Sequence, residues 1–209
     1  MASLLVGIAG GSGSGKTRLA KAFAEAMPSG QVVVIPHDAY YRDLGHLAHG
    51  ARACCNFDEP AALDNEYLIE DLQALRAGRA VALPNYDFTT HTRRPETTRV
   101  EACPVVVVEG ILVLAIPALH AMLDVRVFVE TSERIRQARR MERDIAERGR
   151  TLEGSEIQYF RQTRPMHDLH VEPSKCHADI VVSGEINVAE AAETIRAAIG
   201  QRLHPRIRA

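Results

Sequence analysis

The sequence predicts an α/β fold in which helices flank a parallel β-sheet. Three observations carry this expectation. Strand-like apolar runs alternate with amphipathic helical stretches along the chain. The run Val105–Val108 is apolar without alternation, as a strand buried on both faces of a parallel sheet would be. The apolar run Leu4–Ala9 passes straight into Gly10-Gly11-Ser12-Gly13-Ser14-Gly15 and then a helical pattern, the strand–loop–helix order of a phosphate-binding unit.

The elements follow in order. Leu4–Ala9 is a strand. Arg18–Met27 is a helix with Leu19, Ala22, Phe23 and Ala26 at helical spacing, stopped by Pro28 to Gly30. The β-branched run Gln31–Ile35 reads as a buried strand, and Pro36–Pro60 as an ordered loop. Asp64 reads as the N-cap of a helix carrying Leu68, Ile69, Leu72 and Leu75, with Gly78 as its stop. Val81–Phe88 and Arg94–Val100 form a hairpin around Thr89–Arg93. After Val105–Val108 and a strand at Val125–Val129, Ser132 reads as the cap of a helix with Ile135, Ala138, Met141 and Ile145 as its apolar stripe. Glu153–Thr163 is helical, Ala178–Val182 a last strand and Val188–Leu203 a last amphipathic helix.

Composition bounds the rest. The 209 residues suit one domain with one core, and 46% hydrophobic with 25% charged residues is ordinary for a globular protein. The net charge of −2 argues against a general nucleic-acid binder. No apolar run reaches the roughly 18 residues of a membrane span. Met1–Ile8 is too short for a signal peptide core and lacks a basic lead. Cys54, Cys55, Cys103 and Cys176 form no CxxC pair, which fits reduced thiols in the cytoplasm. Only Lys16, Lys21 and Lys175 of the 25 basic residues are lysines.

Gly10 to Thr17 matches G-x-x-x-x-G-K-[ST]. The glycines let Gly10, Gly11, Ser12, Gly13, Ser14 and Gly15 turn successive backbone N–H groups toward one anion, aided by the following helix N-terminus. Lys16 reaches the β- and γ-phosphates, and the Thr17 hydroxyl suits Mg²⁺. Asp38 and Glu109 each follow an apolar strand, where ligands of such sheets gather. Glu109 suits a Mg²⁺ role or a structural cap. Asp38 suits the general base that a kinase of alcohols needs, or a turn. Seven arginines fall within 134–150, and Arg136, Arg140 and Arg143 share a face. Such a run reads as a solvated, salt-bridged surface or as a cationic lid over phosphates, with Gly149 as its flexible point.

The ordered motifs Gly7–Thr17, His37-Asp38-Ala39-Tyr40-Tyr41, Asn56–Pro60, Asp64-Asn65, Pro84–Phe88 with His91 and Arg93, Glu109–Leu112, Arg139-Arg140 with Arg143-Asp144, Glu147–Arg150 and Val171–Lys175 resemble the uridine–cytidine kinase family from Val6 to about Asn187. The resemblance implies a P-loop NTPase-type sheet in a single domain over 1–209. It also implies a substrate-binding hairpin sub-domain at 80–102 and a lid at 132–165. The implied reaction moves the γ-phosphate of ATP or GTP, with Mg²⁺ at Thr17, Asp38 and Glu109, to the 5′-hydroxyl of uridine or cytidine. It implies Asp38 as base, with Lys16, Arg143 and Arg148 on the transferring phosphate. It places Asp58 and Arg140 on the ribose, and Tyr41, Phe57, Tyr86, His91, Arg150 and Gln158 around the nucleoside. A cytoplasmic homo-oligomer, often a tetramer, is the family habit. The chain departs from the family at Glu59, at Cys54-Cys55, at His167–His170 and at Val182–Asn187. His167, His170, Cys176 and His177 fit no familiar zinc spacing. Two rivals remain open: a related kinase of another small alcohol, phosphoribulokinase-like or pantothenate-kinase-like, and a non-catalytic nucleotide-binding regulator.

Overall fold

Seven strands divide between two sheets. In the computed structural model, which describes residues 2–207, these are β1 Leu4–Gly10, β2 Val32–Pro36, β3 Val81–Asp87, β4 Thr92–Val100, β5 Val105–Glu109, β6 Val125–Glu130 and β7 Ile180–Ser183. The helices are α1 Lys16–Glu25, α2 His49–Ala53, α3 Asn65–Arg76, α4 Pro117–His120, α5 Glu133–Arg148, α6 Leu152–Gln158 and α7 Val188–Ile207. Helical turns continue from α6 to His177, with two wide π-turns at Tyr159–Thr163 and His167–Val171.

The main sheet is parallel, in the order β2-β5-β1-β6-β7. Its two faces alternate along each strand. Leu5, Ala9, Val106 and Val108 pack with Leu68, Leu72 and Leu75 of α3. Leu4, Val6, Ile8, Val105 and Val107 face the other way, onto Phe23 of α1 and Ile195 of α7. Val105 to Val108 have no solvent exposure, as the unalternating run requires. Burying each such side chain contributes about 1.5–3 kcal/mol.

The chain leaves β1 toward β2 and β5, then crosses to β6 on the other side of β1. The carboxyl ends of β1 and β5 therefore flank the point where the connections diverge, which is where such sheets bind ligands. Pairing of Pro36 with Glu109, and of Ile8 with Glu109, brings the ends of β2, β5 and β1 to one edge.

Several expectations change. Helix α1 begins at Lys16 rather than Arg18, because Gly15 at φ 95 lets the phosphate loop enter it directly. β2 is an edge strand in which only Ile35 is fully buried, so a β-branched run did not mean two covered faces. The last strand starts at Ile180, two residues late, again at an edge. Asp64 and Ser132 stand at the cap positions of α3 and α5 without a side-chain cap bond. The Asp64 carboxylate is drawn off by Arg93, at 3.3 Å. In α5 the apolar stripe is not the buried face: Arg136, Arg140, Met141 and Asp144 are buried, whereas Ala138 and Ile145 are exposed. That helix packs on the polar phosphate loop, so its charged side turns inward.

β3 and β4 form a separate antiparallel hairpin. Asp87 builds its turn: Oδ1 accepts from the Thr89 and Thr90 N–H groups, and Oδ2 from Arg94. Arg93 ties the hairpin to the body. It donates to the Tyr41 and Tyr40 carbonyls at 2.8 and 3.0 Å and lies over the Tyr67 ring. Replacing Arg93 by Leu is expected to loosen the hairpin selectively. Hydrogen exchange should accelerate across residues 81–100 while β1 and β5 keep their protection; uniform acceleration would contradict a local tether.

Candidate active site

The phosphate loop is gripped from three sides. Arg140 Nη1 and Arg143 Nη2 donate to Ser12 Oγ at 2.8 and 3.3 Å. Thr131 Oγ1 donates to the Ser14 carbonyl at 2.9 Å. Arg136 fills the space beside Gly11, where a Cβ would come within 2.6 Å of its guanidinium. Gly184, after β7, packs so tightly on the Ser14 carbonyl and Thr131 hydroxyl that any side chain there would collide. Arg139 holds the Gly184 carbonyl at 3.1 Å. Loop, helix α5 and the segment after β7 thus form one packed unit around the helix N-terminus that would receive phosphate.

Lys16 is buried, and desolvation pulls its pKa down while Glu109 and Asp38 pull it back up. Thr17 Oγ1 donates to Glu109 Oε1 at 3.1 Å. Burial pushes the Glu109 carboxyl up, Lys16 opposes this, and the nearby Asp38 charge adds to it. The hydroxyl, the two acids and the lysine form a compact set with hard oxygen donors, which fits Mg²⁺ beside phosphate.

Two cavities meet here. One cavity runs from Gly13, Gly15 and Thr17 past Glu109 to Gly184, Ile186 and Val188. The second is lined by Tyr41, Phe57, Asp58, Tyr86, His91, Arg140, Arg150 and Gln158, together with Ser12. Lys16, Asp38, Phe88, Arg143 and Arg148 line both. The structure therefore brings every expected nucleoside-side residue to one cavity. Of the expected phosphate-side residues, Lys16, Asp38, Arg143 and Arg148 lie at its junction with the other; Gly13, Gly15 and Thr17 line only the other, and Gly10, Gly11 and Ser14 line neither.

The second cavity has an aromatic wall. Phe57 stacks on His91 with centroids 4.5 Å apart, and Tyr41 lies 5.2 Å from Tyr86. Tyr41 Oη donates to the Phe57 carbonyl at 3.0 Å, and burial raises its pKa well above the usual phenol value. His91 sits at φ 55, the left-handed conformation that closes the hairpin turn. Arg148 lies 5.0 Å from the Phe88 ring centre, joining α5 to the hairpin.

One residue was missed as a site member. Asp144 is fully buried among Arg140, Arg143, Arg148 and Arg150, at 3.5, 3.3, 3.4 and 2.9 Å. Its i, i+4 spacing from Arg140 and to Arg148 was the available signal. Gln158 Oε1 extends the network by accepting from Arg150 and Arg140. Among the described residues no group of three or more His, Cys, Asp or Glu side chains is placed to hold a metal ion. No described helix is long and apolar enough to cross a membrane, and all four cysteines are free.

A Gly-Lys-Thr phosphate loop, strand-end acids and a second cavity opening onto the loop define a P-loop phosphotransferase. Residues 5–189 match the phosphoribulokinase/uridine kinase family, and the chain belongs to it. Uridine kinase of Chloroflexus aggregans is 47% identical over 181 residues, covering 87% of both chains. Uridine kinase of Lactococcus lactis subsp. cremoris is 43% identical over 180 residues, covering 86% of this chain and 87% of that one. The solved structure of D-glycerate 3-kinase from Cryptococcus neoformans shares the fold, with a TM-score of 0.63 at 16% identity over 89% and 88% of the two chains. The chain is thus a kinase using a nucleotide phosphate donor.

For Asp144, burial favours the neutral acid, but the four guanidiniums outweigh it and hold the carboxyl below its usual 3.8. Its stabilising contribution is therefore full above pH 3.8 and fades as pH falls through the lower folded value. Asp144→Asn should cost about 3–5 kcal/mol at pH 7, because it leaves four buried or half-buried cations without their partner. Urea unfolding at pH 7 and pH 3 checks this: the gap between the two proteins should narrow at the acid end. An equal gap at both values would contradict the sign.

Proposed function

We propose that this kinase transfers the γ-phosphate of ATP or GTP, with Mg²⁺, to the 5′-hydroxyl of uridine or cytidine, giving UMP or CMP. The observation that carries the reading is the junction: Lys16, Asp38, Arg143 and Arg148 belong to both cavities. A phosphoryl group entering from the loop side meets there an alcohol held on the other side. The uridine kinase relatives point to the same acceptor.

In this mechanism the base lies against the aromatic wall, with His91, Arg150 and Gln158 at its polar edge. His91 can present a donor or an acceptor, which suits both uridine and cytidine. Asp58 and Arg140 hold the ribose hydroxyls. Asp38 orients the 5′-hydroxyl and accepts its proton as the oxygen attacks the γ-phosphorus and the bond to the leaving diphosphate breaks. Lys16, Arg143 and Arg148 stabilise the charge that spreads over the transferring oxygens. Thr17, Asp38 and Glu109 would hold Mg²⁺, which neutralises charge on the β- and γ-phosphates when bound. The arginine segment at 132–165 acts as the lid. Its contact from Arg148 to Phe88 of the hairpin supports closure over both substrates, and closure keeps water from the donor. The reading places the enzyme in cytoplasmic pyrimidine salvage.

A sugar-phosphate or pantothenate-type acceptor fits less well. The stacked Phe57–His91 pair and the Tyr41–Tyr86 contact present ring surface where a planar base gains most.

A nucleoside panel with ATP and Mg²⁺ should yield monophosphates from uridine and cytidine; no product from either would overturn the assignment. Asp38→Asn should lower turnover by about 10²–10⁴-fold while ATP binding, followed by calorimetry, is retained. Near-normal turnover would remove Asp38 as the base.

A further inference from the structure

The acceptor cavity has a buried support behind it that none of the proposed contacts use. Thr163 is 3% exposed and Asp58 is 6% exposed, and Thr163 Oγ1 donates to Asp58 Oδ2 at 2.8 Å. Asp58 lines the cavity, whereas Thr163 does not. The second oxygen, Oδ1, faces Arg140 at 3.7 Å, beyond direct hydrogen-bond distance. One lone-pair side of the carboxylate is therefore fixed from behind, and the other stays open beside a guanidinium.

The backbone explains how Thr163 gets there. On an ordinary α-helix, Gln158 and Thr163 would point about 140° apart. Here the Arg164 N–H donates to the Tyr159 carbonyl five residues back, a π-turn. The extra residue brings position 163 back toward the face of Gln158. Gln158 and Asp58 then both meet Arg140, at 3.4 and 3.7 Å.

We infer that Thr163 is a positioning residue that presets Asp58 and Arg140 as a clamp for a vicinal diol. It thereby sets the enzyme's selectivity for ribonucleosides over nucleosides lacking the diol. The inference rests on the nucleoside reading above. A carboxylate already oriented loses less freedom when it accepts a hydroxyl, so the gain appears in substrate binding rather than in the chemical step.

The test compares wild type, Thr163→Val and Thr163→Ser on uridine and on 2′,3′-dideoxyuridine, which keeps the base and the 5′-hydroxyl but has no diol. The isosteric Val variant should raise KM for uridine about tenfold, with kcat within about twofold. Its kcat/KM for the dideoxy analogue should scarcely move, and Ser should restore uridine KM to within about threefold of wild type. Unchanged uridine kinetics in the Val variant, or equal losses on both substrates, would overturn the positioning role. Wild-type enzyme inactive on every ribonucleoside would instead remove the nucleoside reading, and this inference with it.

Discussion

Asp144 anchors the site through one buried charge shared by four ion pairs. A carboxylate with no solvent exposure holds four guanidiniums from α5 and the turn after it. Taking such an ion out of water costs several kcal/mol, and here only the converging cations offset it. The arrangement also fixes direction. Arg140 and Arg143 reach forward to Ser12 of the phosphate loop, Arg148 reaches Phe88 of the hairpin, and Arg150 reaches Gln158. Two carboxylates, Asp144 and Asp58, against four guanidiniums leave a positive excess, and Arg143 and Arg148 present it where the two cavities join. A phosphate chain bound there would complete that charge balance.

The sheet supplies the opposing half of the site. Its order puts β1 between strands whose connections run in opposite directions, and the loop after β1 opens into that gap. Parallel register then delivers Glu109 and Asp38 to the same edge. The acids come from the rigid sheet and its first turns, whereas the arginines come from a helix that meets them only through the loop and the hairpin. Under the proposed mechanism that division lets the cations close over a donor while Asp38 stays in place.

Much of this was legible in the sequence because the signals were local. The glycine loop, the unbroken valine run and the hairpin turn at Thr89–Arg93 each depend on a few adjacent residues. The placement of Asp38 and Glu109 beside the glycine loop was readable because both follow an apolar strand. Several failures share one cause, partners distant in the chain. Ile145 fits a helical apolar stripe and is exposed, because α5 packs on polar backbone rather than on the core. Asp64 was drawn from its cap by Arg93, 29 residues away. The link from Thr163 to Asp58 spans 105 residues and depends on a π-turn that no periodicity announces. Asp144 looked like one more member of a mixed charge run, and its burial follows only from which side of α5 faces the loop.

The central claim is that donor and acceptor occupy adjoining cavities that share Lys16, Asp38, Arg143 and Arg148. The most direct measurement is inhibition by a single molecule in which uridine and adenosine are joined 5′ to 5′ through a polyphosphate chain. Adjoining sites predict competition with both ATP and uridine, and affinity about a hundredfold above that of either half alone. Competition with ATP only, at an affinity no better than that of ATP, would contradict the shared junction.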